Sequence, residues 1–238
     1  MANEAIYHTA LITGASRGLG LALARALADA GWRLILDARG DQALAAAHQE
    51  LSKRTWTLAI PGDVSDPAHR RALAEAAEQA GGLDALVNNA STLGASPRPS
   101  LLDYPIETLA QVYRVNALAP LALIQAARAS LKPGAVIINV SSDAGAEPYE
   151  GWGGYGSSKA ALEHLSAILA AENPQWKIYW VDPGDMRTQM HQDAFPGEDI
   201  SDRPEPETVV PALRILLHDL PGSGRYRASD VLRTVVTR

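Results

Sequence analysis

The sequence contains no cysteine, which excludes disulfides, thiolate metal sites and cysteine nucleophiles. Aromatic residues make up only 5% of the 238 residues, and no basic tract accompanies the net charge of −6. This argues against a nucleic-acid or anionic-membrane surface, although a local basic pocket could still bind one small anion. No run approaches about 18 uninterrupted apolar residues, and the first residues do not form a cationic signal peptide. We therefore expect no membrane interaction and a cytoplasmic protein.

The sequence does contain a regular alternation of short apolar runs and longer helical patterns. The runs at 8–13, 33–38, 55–60, 84–89, 135–140 and 177–182 predict strands, and a last strand is expected near 225–228. Helical patterns cover 18–30, 43–51, 68–80, 105–131 and 154–172. This order predicts an α/β fold with a doubly wound parallel sheet of about seven strands and helices on both faces. Repeats and linkers are absent, so residues 1–238 are expected to form a single domain.

Three glycines follow the first predicted strand, in the segment Thr13-Gly-Ala-Ser-Arg-Gly-Leu-Gly20. Gly14 permits a tight turn, Gly18 lets the backbone approach a pyrophosphate, and Gly20 allows close packing of helix on strand. The helix that begins here offers N–H groups and a partial positive charge to an anion. The segment therefore predicts a dinucleotide-binding loop, formed by Gly14, Ser16, Arg17, Gly18, Leu19 and Gly20.

The second predicted strand ends in Asp37-Ala-Arg39, and these two charges favour different cofactors. An acid at the strand tip holds a ribose 2′-hydroxyl, whereas an arginine accommodates a 2′-phosphate. Arg17 adds a second guanidinium on the same side, and paired guanidiniums suit a phosphate dianion. The sequence therefore favours NADP(H) over NAD(H), while the register of Asp37 leaves NAD open.

Tyr155 and Lys159 stand one helical turn apart in the segment Gly154–Leu165. A free tyrosine has a pKa of about 10, and an ammonium about 5–6 Å away favours its phenolate. The pair is therefore predicted to hold an acid/base with a pKa closer to neutrality. Taken alone, the same residues could equally be a core aromatic and a solvated charge.

Five motifs in order at strand ends give the chain its resemblance to the short-chain dehydrogenase/reductase family. They are the glycine loop, Asn88-Asn-Ala90, Ser141-Ser142, Tyr155-x-x-x-Lys159 and Pro183-Gly184, and the resemblance covers about residues 6–228. It implies a Rossmann-type fold and an NAD(P)-dependent oxidoreductase acting on alcohol or carbonyl groups.

The resemblance also implies roles for individual residues. Tyr155 is expected to be the catalytic acid/base, Lys159 to lower its pKa and contact the nicotinamide ribose, Ser142 to position the carbonyl, and Asn116 to support a proton relay. Ser142 is preferred to Ser141, whose side chain is expected to face the other way. The expected cofactor-binding residues beyond the glycine loop are Arg39, Asp63, Val64, Asn89, Ala90, Tyr155, Lys159, Pro183, Gly184, Met186 and Thr188.

The substrate is less well defined by the sequence. Segment 186–206 carries four Pro or Gly residues among many charges, so it cannot be a long regular helix and is expected to be a lid. The expected substrate-contacting residues are Thr92, Leu93, Trp152 and Met190, with His191 and Phe195 as further candidates. These are mostly apolar and suit a small or cyclic carbonyl compound.

Other functions remain as alternatives. The sequence leaves open an NAD-dependent alcohol dehydrogenase and a non-catalytic NADPH-binding redox sensor. The scattered histidines show no metal-ligand spacing, so no metal is expected. The resemblance implies a homodimer or homotetramer that packs through the long helices.

Overall fold

The computed structural model describes residues 7–218 and 222–236, in which seven strands form one parallel sheet. The strands are β1 Thr9–Ile12, β2 Arg33–Ala38, β3 Thr57–Pro61, β4 Leu83–Asn88, β5 Leu131–Val140, β6 Lys177–Asp182 and β7 Gly224–Arg227. Their order is β3-β2-β1-β4-β5-β6-β7, and every neighbouring pair is parallel. The predicted doubly wound sheet is confirmed.

Helices cover both faces of the sheet. They are α1 Gly18–Asp29, α2 Asp41–Leu51, α3 Pro67–Gln79, α4 Ile106–Tyr113, α5 Ala119–Ala126, α6 Gly153–Glu172, α7 Gln189–Ala194, α8 Val210–His218 and α9 Ala228–Val236. No helix within residues 7–218 or 222–236 combines the length and apolarity needed to cross a membrane.

Consecutive strand residues supply two separate cores, because side chains along a strand point alternately to opposite faces. Ile12, Leu34 and Ile138 pack with α1 and α8 on one face. On the other face, the next positions Leu11 and Ile137 pack with α3 and α5, among others. Both faces are buried, which explains why the strands are continuous apolar runs rather than alternating ones.

The helical pattern at 105–131 is interrupted where the sequence predicts one long helix. A π-helical turn at Arg114–Leu118 separates α4 from α5, and α5 ends at Ala126 before β5 begins. Such turns inside α-helices are frequent at functional sites. Its central residue is the expected catalytic residue Asn116, whose role in the turn is described below.

The segment 186–206 contains one short helix, α7, and otherwise irregular chain. Its two ends meet, because the Arg187 N–H donates to the Pro204 carbonyl at 2.8 Å. Thr188 caps α7 by accepting from the His191 N–H at 3.2 Å. The segment thus forms a closed loop over the carboxyl ends of the strands.

Strands β2 and β3 lie on one side of β1, and β4 to β7 lie on the other, because the chain runs outward from β1 to β3 and then returns to β4. In doubly wound sheets, ligands bind in the crevice at the carboxyl ends of the strands, where the strand order reverses. In this sheet the reversal lies between β1 and β4. The candidate site is therefore expected above their carboxyl ends.

Candidate active site

A cleft of about 920 Å³ opens at this end of the sheet, under the loop 186–206. Most residues that the sequence assigns to cofactor and substrate border it. Those bordering it are Gly14, Ser16, Arg17, Gly18, Leu19, Arg39, Asp63, Val64, Asn89, Ala90, Leu93, Ser142, Trp152, Tyr155, Lys159, Pro183, Gly184, Met186, Thr188 and Met190. Gly20, Thr92 and Asn116 do not border the cleft.

The glycine loop forms a cradle with no room for side chains. Gly14 has a φ of 64°, and a Cβ there would lie 2.9 Å from Asn89 Nδ2. A Cβ on Gly20 would lie 2.4 Å from the Gly14 carbonyl oxygen, so Gly20 is needed for packing rather than for ligand contact. Arg17 at the start of α1 makes no side-chain capping bond, and the first turn holds no acid. The positive end of α1 can therefore accept the pyrophosphate of a dinucleotide.

Asp37 and Arg39 differ sharply in their surroundings. Asp37 is 1% exposed, and its Oδ1 lies 2.5 Å from His69 Nε2 on α3. Burial raises the pKa of the Asp37 carboxyl, while the hydrogen bond with His69 lowers it. Arg39 is exposed at the rim of the cleft, as is Arg17. A ligand that occupies this end of the cleft thus meets two exposed guanidiniums and a buried carboxylate, whose Oδ1 is engaged by His69 and whose Oδ2 has no hydrogen-bond partner.

The neighbouring wall of this end is held by Asp63 and by the end of β4. The Asp63 carboxylate accepts from the Ser65 N–H at 2.7 Å, and hydrogen bonds with Ser65 together with the charge of Arg39 leave its pKa lowered despite burial. Asn89 Nδ2 donates to the Thr13 and Gly14 carbonyls at 2.9 and 3.1 Å. The Asn89 side chain thus braces the glycine loop, and Ala90 presents only a methyl group to the cleft.

Tyr155 and Ser142 lie at the floor of the cleft. Burial raises the pKa of Tyr155, while hydrogen bonding with the hydroxyls of Ser142 and Ser91 lowers it. Ser142 Oγ donates to Asp143 Oδ1 at 2.9 Å and accepts from the Ala144 N–H at 3.2 Å. The preference for Ser142 over Ser141 agrees with this geometry, since Ser141 Oγ donates instead to Glu163 at 2.6 Å.

Lys159 is 2% exposed, and its Nζ donates to the Val140 carbonyl at 2.7 Å. Nζ lies 5.5 Å from the centroid of the Tyr155 ring. Burial lowers the pKa of Lys159 from its ordinary value of 10.5 to about 7, and the charge of Glu163 opposes this shift. Lys159 is therefore only partly charged at neutral pH.

The expectation that Lys159 draws the pKa of Tyr155 toward neutrality differs from what the structure gives. Burial raises the pKa of Tyr155 most, and the carboxylates of Asp143 and Asp182 raise it further. Among the protein's own groups, the balance keeps the phenol protonated. A protonated phenol at the floor of a cleft is equipped to donate a proton.

The Asn116 side chain clamps the loop after β4 rather than facing the cleft. Its Oδ1 accepts from Ser91 Oγ at 3.1 Å and from the Thr92 N–H at 2.9 Å. Its Nδ2 donates to the Thr92 carbonyl at 2.9 Å and to Ser158 Oγ at 3.0 Å. Both amide hydrogens are thus used, so any part of Asn116 in a proton relay falls to its main chain. Thr92, expected to contact substrate, instead contributes its main chain to this clamp.

Aromatic side chains form the wall between α6 and the loop 186–206. The Trp152 ring lies 5.7 Å from that of Tyr155 and 6.0 Å from that of Phe195. The Arg98 guanidinium lies 4.1 Å from the Trp152 centroid and 4.8 Å from the Phe195 centroid, which stabilises both rings by cation–π attraction. The His191 ring lies 4.9 Å from Phe195 and also borders the cleft.

Two residues at the site, Glu163 and Arg225, were missed by the sequence reasoning, and a third, Ser91, makes contacts that the sequence does not reveal. Ser91 stands where glycine is commoner in the family. Its hydroxyl donates to Asn116 Oδ1, and its hydrogen bonding lowers the pKa of Tyr155. Glu163 and Arg225 form a partly buried ion pair with a distance of 3.0 Å beside Lys159 and Ser142. Glu163 was detectable, because it follows Lys159 by one helical turn; Arg225 carried no local signal. Among the described residues, no group of three or more His, Cys, Asp or Glu is placed to hold a metal ion.

Comparison with known proteins identifies the family. Residues 8–199 match the family profile described as short chain dehydrogenase. The chain is 39% identical over 171 residues to the rhamnolipids biosynthesis 3-oxoacyl-(acyl-carrier-protein) reductase of Pseudomonas aeruginosa, covering 68% of this chain and 66% of that protein. It is 33% identical over 198 residues to sepiapterin reductase of Meriones unguiculatus, covering 76% of this chain and 75% of that protein.

A solved structure shows the same architecture. A protein from Escherichia coli CFT073 described as a short chain dehydrogenase complexed with NADPH superposes with a TM-score of 0.83 at 26% identity. The match covers 93% of this chain and 96% of that one. The sheet, the cradle at α1 and the matched residues agree, and the chain belongs to the short-chain dehydrogenase family of NAD(P)-dependent oxidoreductases.

Proposed function

We propose that this protein is an NADPH-dependent reductase of a small or cyclic carbonyl compound, with Tyr155 as its proton donor. The observation that carries the proposal is the Tyr155 hydroxyl, which burial keeps protonated and which shares the floor of the cleft with Ser142 and Lys159. Reduction of a carbonyl places negative charge on its oxygen, and this oxygen then needs a proton and a hydrogen-bond donor.

The catalytic residues would divide this work among them. Nicotinamide, when bound, supplies the hydride. Tyr155 donates its phenolic proton to the substrate oxygen, and the Ser142 hydroxyl donates a hydrogen bond to the same oxygen. To do so, the Ser142 hydroxyl must turn away from Asp143, to which it donates at 2.9 Å. Asp143 thus holds the serine side chain in place until a stronger acceptor arrives.

Proton return to Tyr155 would depend on Lys159. A lysine with a pKa of about 7 can both hold and release a proton near neutrality. The π-helical turn at Arg114–Leu118 removes the main-chain carbonyls around Asn116 from the regular helical bonding pattern. These carbonyls are candidates to order water between Lys159 and solvent, since the Asn116 side chain is fully engaged.

The choice of NADPH rests on the contrast between Arg39 and Asp37. Arg39 is exposed at the rim together with Arg17, and two guanidiniums suit the 2′-phosphate. The Asp37 carboxylate is buried and its Oδ1 is held by His69, which leaves only Oδ2 for a 2′-hydroxyl and weakens this alternative. The NADPH complex of the Escherichia coli neighbour supports the same choice.

The proposed substrate class follows from the cleft wall and from the relatives. Leu93, Trp152, Met190 and Phe195 provide apolar and aromatic surface next to Tyr155. Such surface suits a flat or cyclic carbonyl compound. Both relatives described above are named as reductases, and one of them is named for a pterin.

Exposed apolar side chains on α4 to α6 support the proposed homo-oligomer. Ile106 is 71% exposed, Leu118 53% and Ile168 43%, on the helices that precede and contain Tyr155. Ile168 thus lies at the surface, where it can contact another subunit, rather than in the core. Size-exclusion chromatography with light scattering tests the assembly, and a strict monomer at micromolar concentration would refute it.

The decisive experiment follows NADPH oxidation by its near-ultraviolet absorbance against a panel of ketones, quinones and pterins. Turnover with at least one carbonyl, and at least a tenfold preference for NADPH over NADH, is the expected result. Tight NADPH binding with no turnover on any member would instead indicate a non-catalytic sensor. A preference for NAD with an alcohol would indicate the dehydrogenase direction.

A further inference from the structure

We propose that Glu163 and Arg225 form a positioning unit that holds Ser142 in place and sets the charge environment of Lys159, which lies one helical turn before Glu163 on α6. The inference rests on the proposed function for its catalytic meaning, although the contacts themselves do not depend on it. Neither residue belongs to the motifs that link the chain to its family. The pair joins β7, near the end of the chain, to the central catalytic residues.

Glu163 receives three hydrogen bonds in a largely buried position. Its side chain is 13% exposed. Ser141 Oγ donates to Oε1 at 2.6 Å, and Arg225 Nε lies 3.0 Å from Oε1 and 3.1 Å from Oε2. Because Ser141 directly precedes Ser142, Glu163 ties α6 to the end of β5 where the catalytic serine stands.

Arg225 reaches the same point from β7. Its Nη2 donates to the main-chain carbonyl of Ser142 at 3.2 Å and lies 3.8 Å from Asp182 Oδ2. Asp182 in turn accepts from the Gly184 N–H at 3.0 Å, in the segment that borders the nicotinamide end of the cleft. One guanidinium therefore braces β5, β6 and α6 against one another, and its planar fork fits this set of acceptors.

The charge of Glu163, one helical turn after Lys159 on α6, acts on the Lys159 ammonium. The charged groups that surround the floor of the cleft are Asp143 after β5, Asp182 at the end of β6, Arg225 and Arg227 on β7, and Glu163 on α6 itself. From the π-helical turn, the uncharged Asn116 donates to Ser158 on α6. Of these groups, Glu163 is the one whose charge raises the pKa of Lys159 against burial. Removing the carboxylate would therefore discharge Lys159 near neutral pH.

The structural alternative is an ion pair that only stabilises the fold. Buried ion pairs are weak evidence for stability, because desolvation offsets much of the attraction. A purely structural pair would change the melting temperature without changing the pKa of Lys159. The two readings therefore separate in a measurement on Lys159 itself.

The first test measures the pKa of Lys159 by ¹³C NMR in protein without added cofactor. The chain has four lysines, Lys53, Lys132, Lys159 and Lys177, so a sample labelled at lysine Cε gives few signals, and Lys159→Met assigns the relevant one. Glu163→Gln is expected to lower the pKa of Lys159 by about one unit. The matched control is Arg227→Gln, which removes an arginine two residues from Arg225 that is 49% exposed. An unchanged Lys159 pKa in Glu163→Gln would overturn the proposal.

The second test measures turnover with the best carbonyl from the panel across pH. In Glu163→Gln the alkaline fall of kcat/KM is expected to begin about one unit lower than in wild type. Arg225→Gln is expected to lower kcat about tenfold with the KM for NADPH within about twofold, because Ser142 loses its support. Arg225→Lys should recover only part of kcat, since a compact ammonium lacks the planar fork of donors that spans Glu163 and Ser142.

The outcomes separate the two proposals. Full kcat in a folded Arg225→Gln variant, checked by its thermal melt, would refute the bracing of Ser142. A protein that reduces no carbonyl but still shows the Lys159 shift would refute the proposed function and support the contact between Glu163 and Lys159.

Discussion

The two ends of the cleft are built in different ways. The adenosine end consists of the glycine loop, the N-terminus of α1 and two arginines at the rim. It offers the N–H groups at the start of α1 and the two guanidiniums to a ligand, and its buried acid, Asp37, is held by His69. The catalytic end instead brings together side chains from distant parts of the chain, such as Arg225 and Ser142, which are 83 residues apart.

This difference shows where each end places its charges. At the adenosine end the two arginines stay at the surface, where they can meet a ligand at little cost to the fold, while the buried Asp37 is paired with His69. At the catalytic end, Lys159 and Tyr155 are withdrawn from water, and their pKa values move in opposite directions from their ordinary values. We expect the catalytic end to be destabilised in exchange for reactivity, and the adenosine end not to be.

The largest expected effect is on turnover in Tyr155→Phe. Removal of the proton donor should lower kcat by about a thousandfold, within the range for general acid catalysis, while NADPH binding is retained. Stopped assays for kcat and fluorescence titration for NADPH test this. Tyr7→Phe, at an exposed tyrosine far from the cleft, is the control. Wild-type turnover in Tyr155→Phe would refute the assignment of the catalytic end.

Lys159→Met should stabilise the protein while removing its activity. The pKa of Lys159 is about 7 in the folded protein against an ordinary value of 10.5, so between these values the unfolded chain binds more protons. The cost of the buried charge is thus full below pH 7 and fades as pH rises toward 10.5. We expect the variant to unfold with a free energy up to about 4 kcal/mol higher at pH 7, since each pKa unit corresponds to about 1.4 kcal/mol.

Urea denaturation at several pH values checks this prediction, with exposed Lys53→Met as the control. The difference between Lys159→Met and wild type should shrink steadily from pH 7 to 10. A variant that is less stable than wild type at neutral pH would contradict the expected destabilisation of the catalytic end.

Arg39→Ala should affect the adenosine end alone. Loss of a charge-assisted hydrogen bond to the 2′-phosphate should weaken NADPH binding about 10–100-fold and leave NADH binding nearly unchanged. Calorimetric titration with both cofactors measures this, and Arg54→Ala, which loses an exposed ion pair with Asp29, is the matched control. Equal losses of affinity for NADPH and NADH would show that Arg39 does not select for the 2′-phosphate.

The smallest expected effect is that of Trp152→Ala. Loss of its ring from the wall beside Tyr155 should raise the KM for a cyclic carbonyl about tenfold with the KM for NADPH unchanged. The control is Trp56→Ala, at a tryptophan that is 43% exposed and contacts Arg33 rather than the cleft. A raised KM for NADPH would place Trp152 in cofactor binding.

Most of the fold could be predicted from the sequence because apolar runs and helical spacing are local signals. Strand β3 begins at Thr57 rather than 55, since Trp56 lies partly exposed under Arg33. The final strand runs from Gly224 to Arg227, close to the predicted 225–228, whereas α8 and α9 were not predicted although both have an apolar face. The π-helical turn was missed because a one-residue insertion in a helix leaves the apolar spacing nearly unchanged.

At the candidate site, the glycine loop and the Tyr155–Lys159 pair could be read from spacing, since each lies within one segment. The direction of the Tyr155 pKa could not, because it depends on how much water the whole fold excludes from the hydroxyl. The position of Thr92 could not be predicted from the sequence either, because its main-chain N–H and carbonyl are hydrogen-bonded by the Asn116 side chain from another element.

By itself, therefore, the sequence determined the order of strands and helices, the dinucleotide loop and the family, all of which depend on residues close together in the chain. Only the tertiary structure decided that Asp37 is turned to His69, and that Glu163 and Arg225 stand beside Lys159 and Ser142. The physical reason is that electrostatic interactions depend on distance and burial in space. Neither quantity is encoded in any one segment.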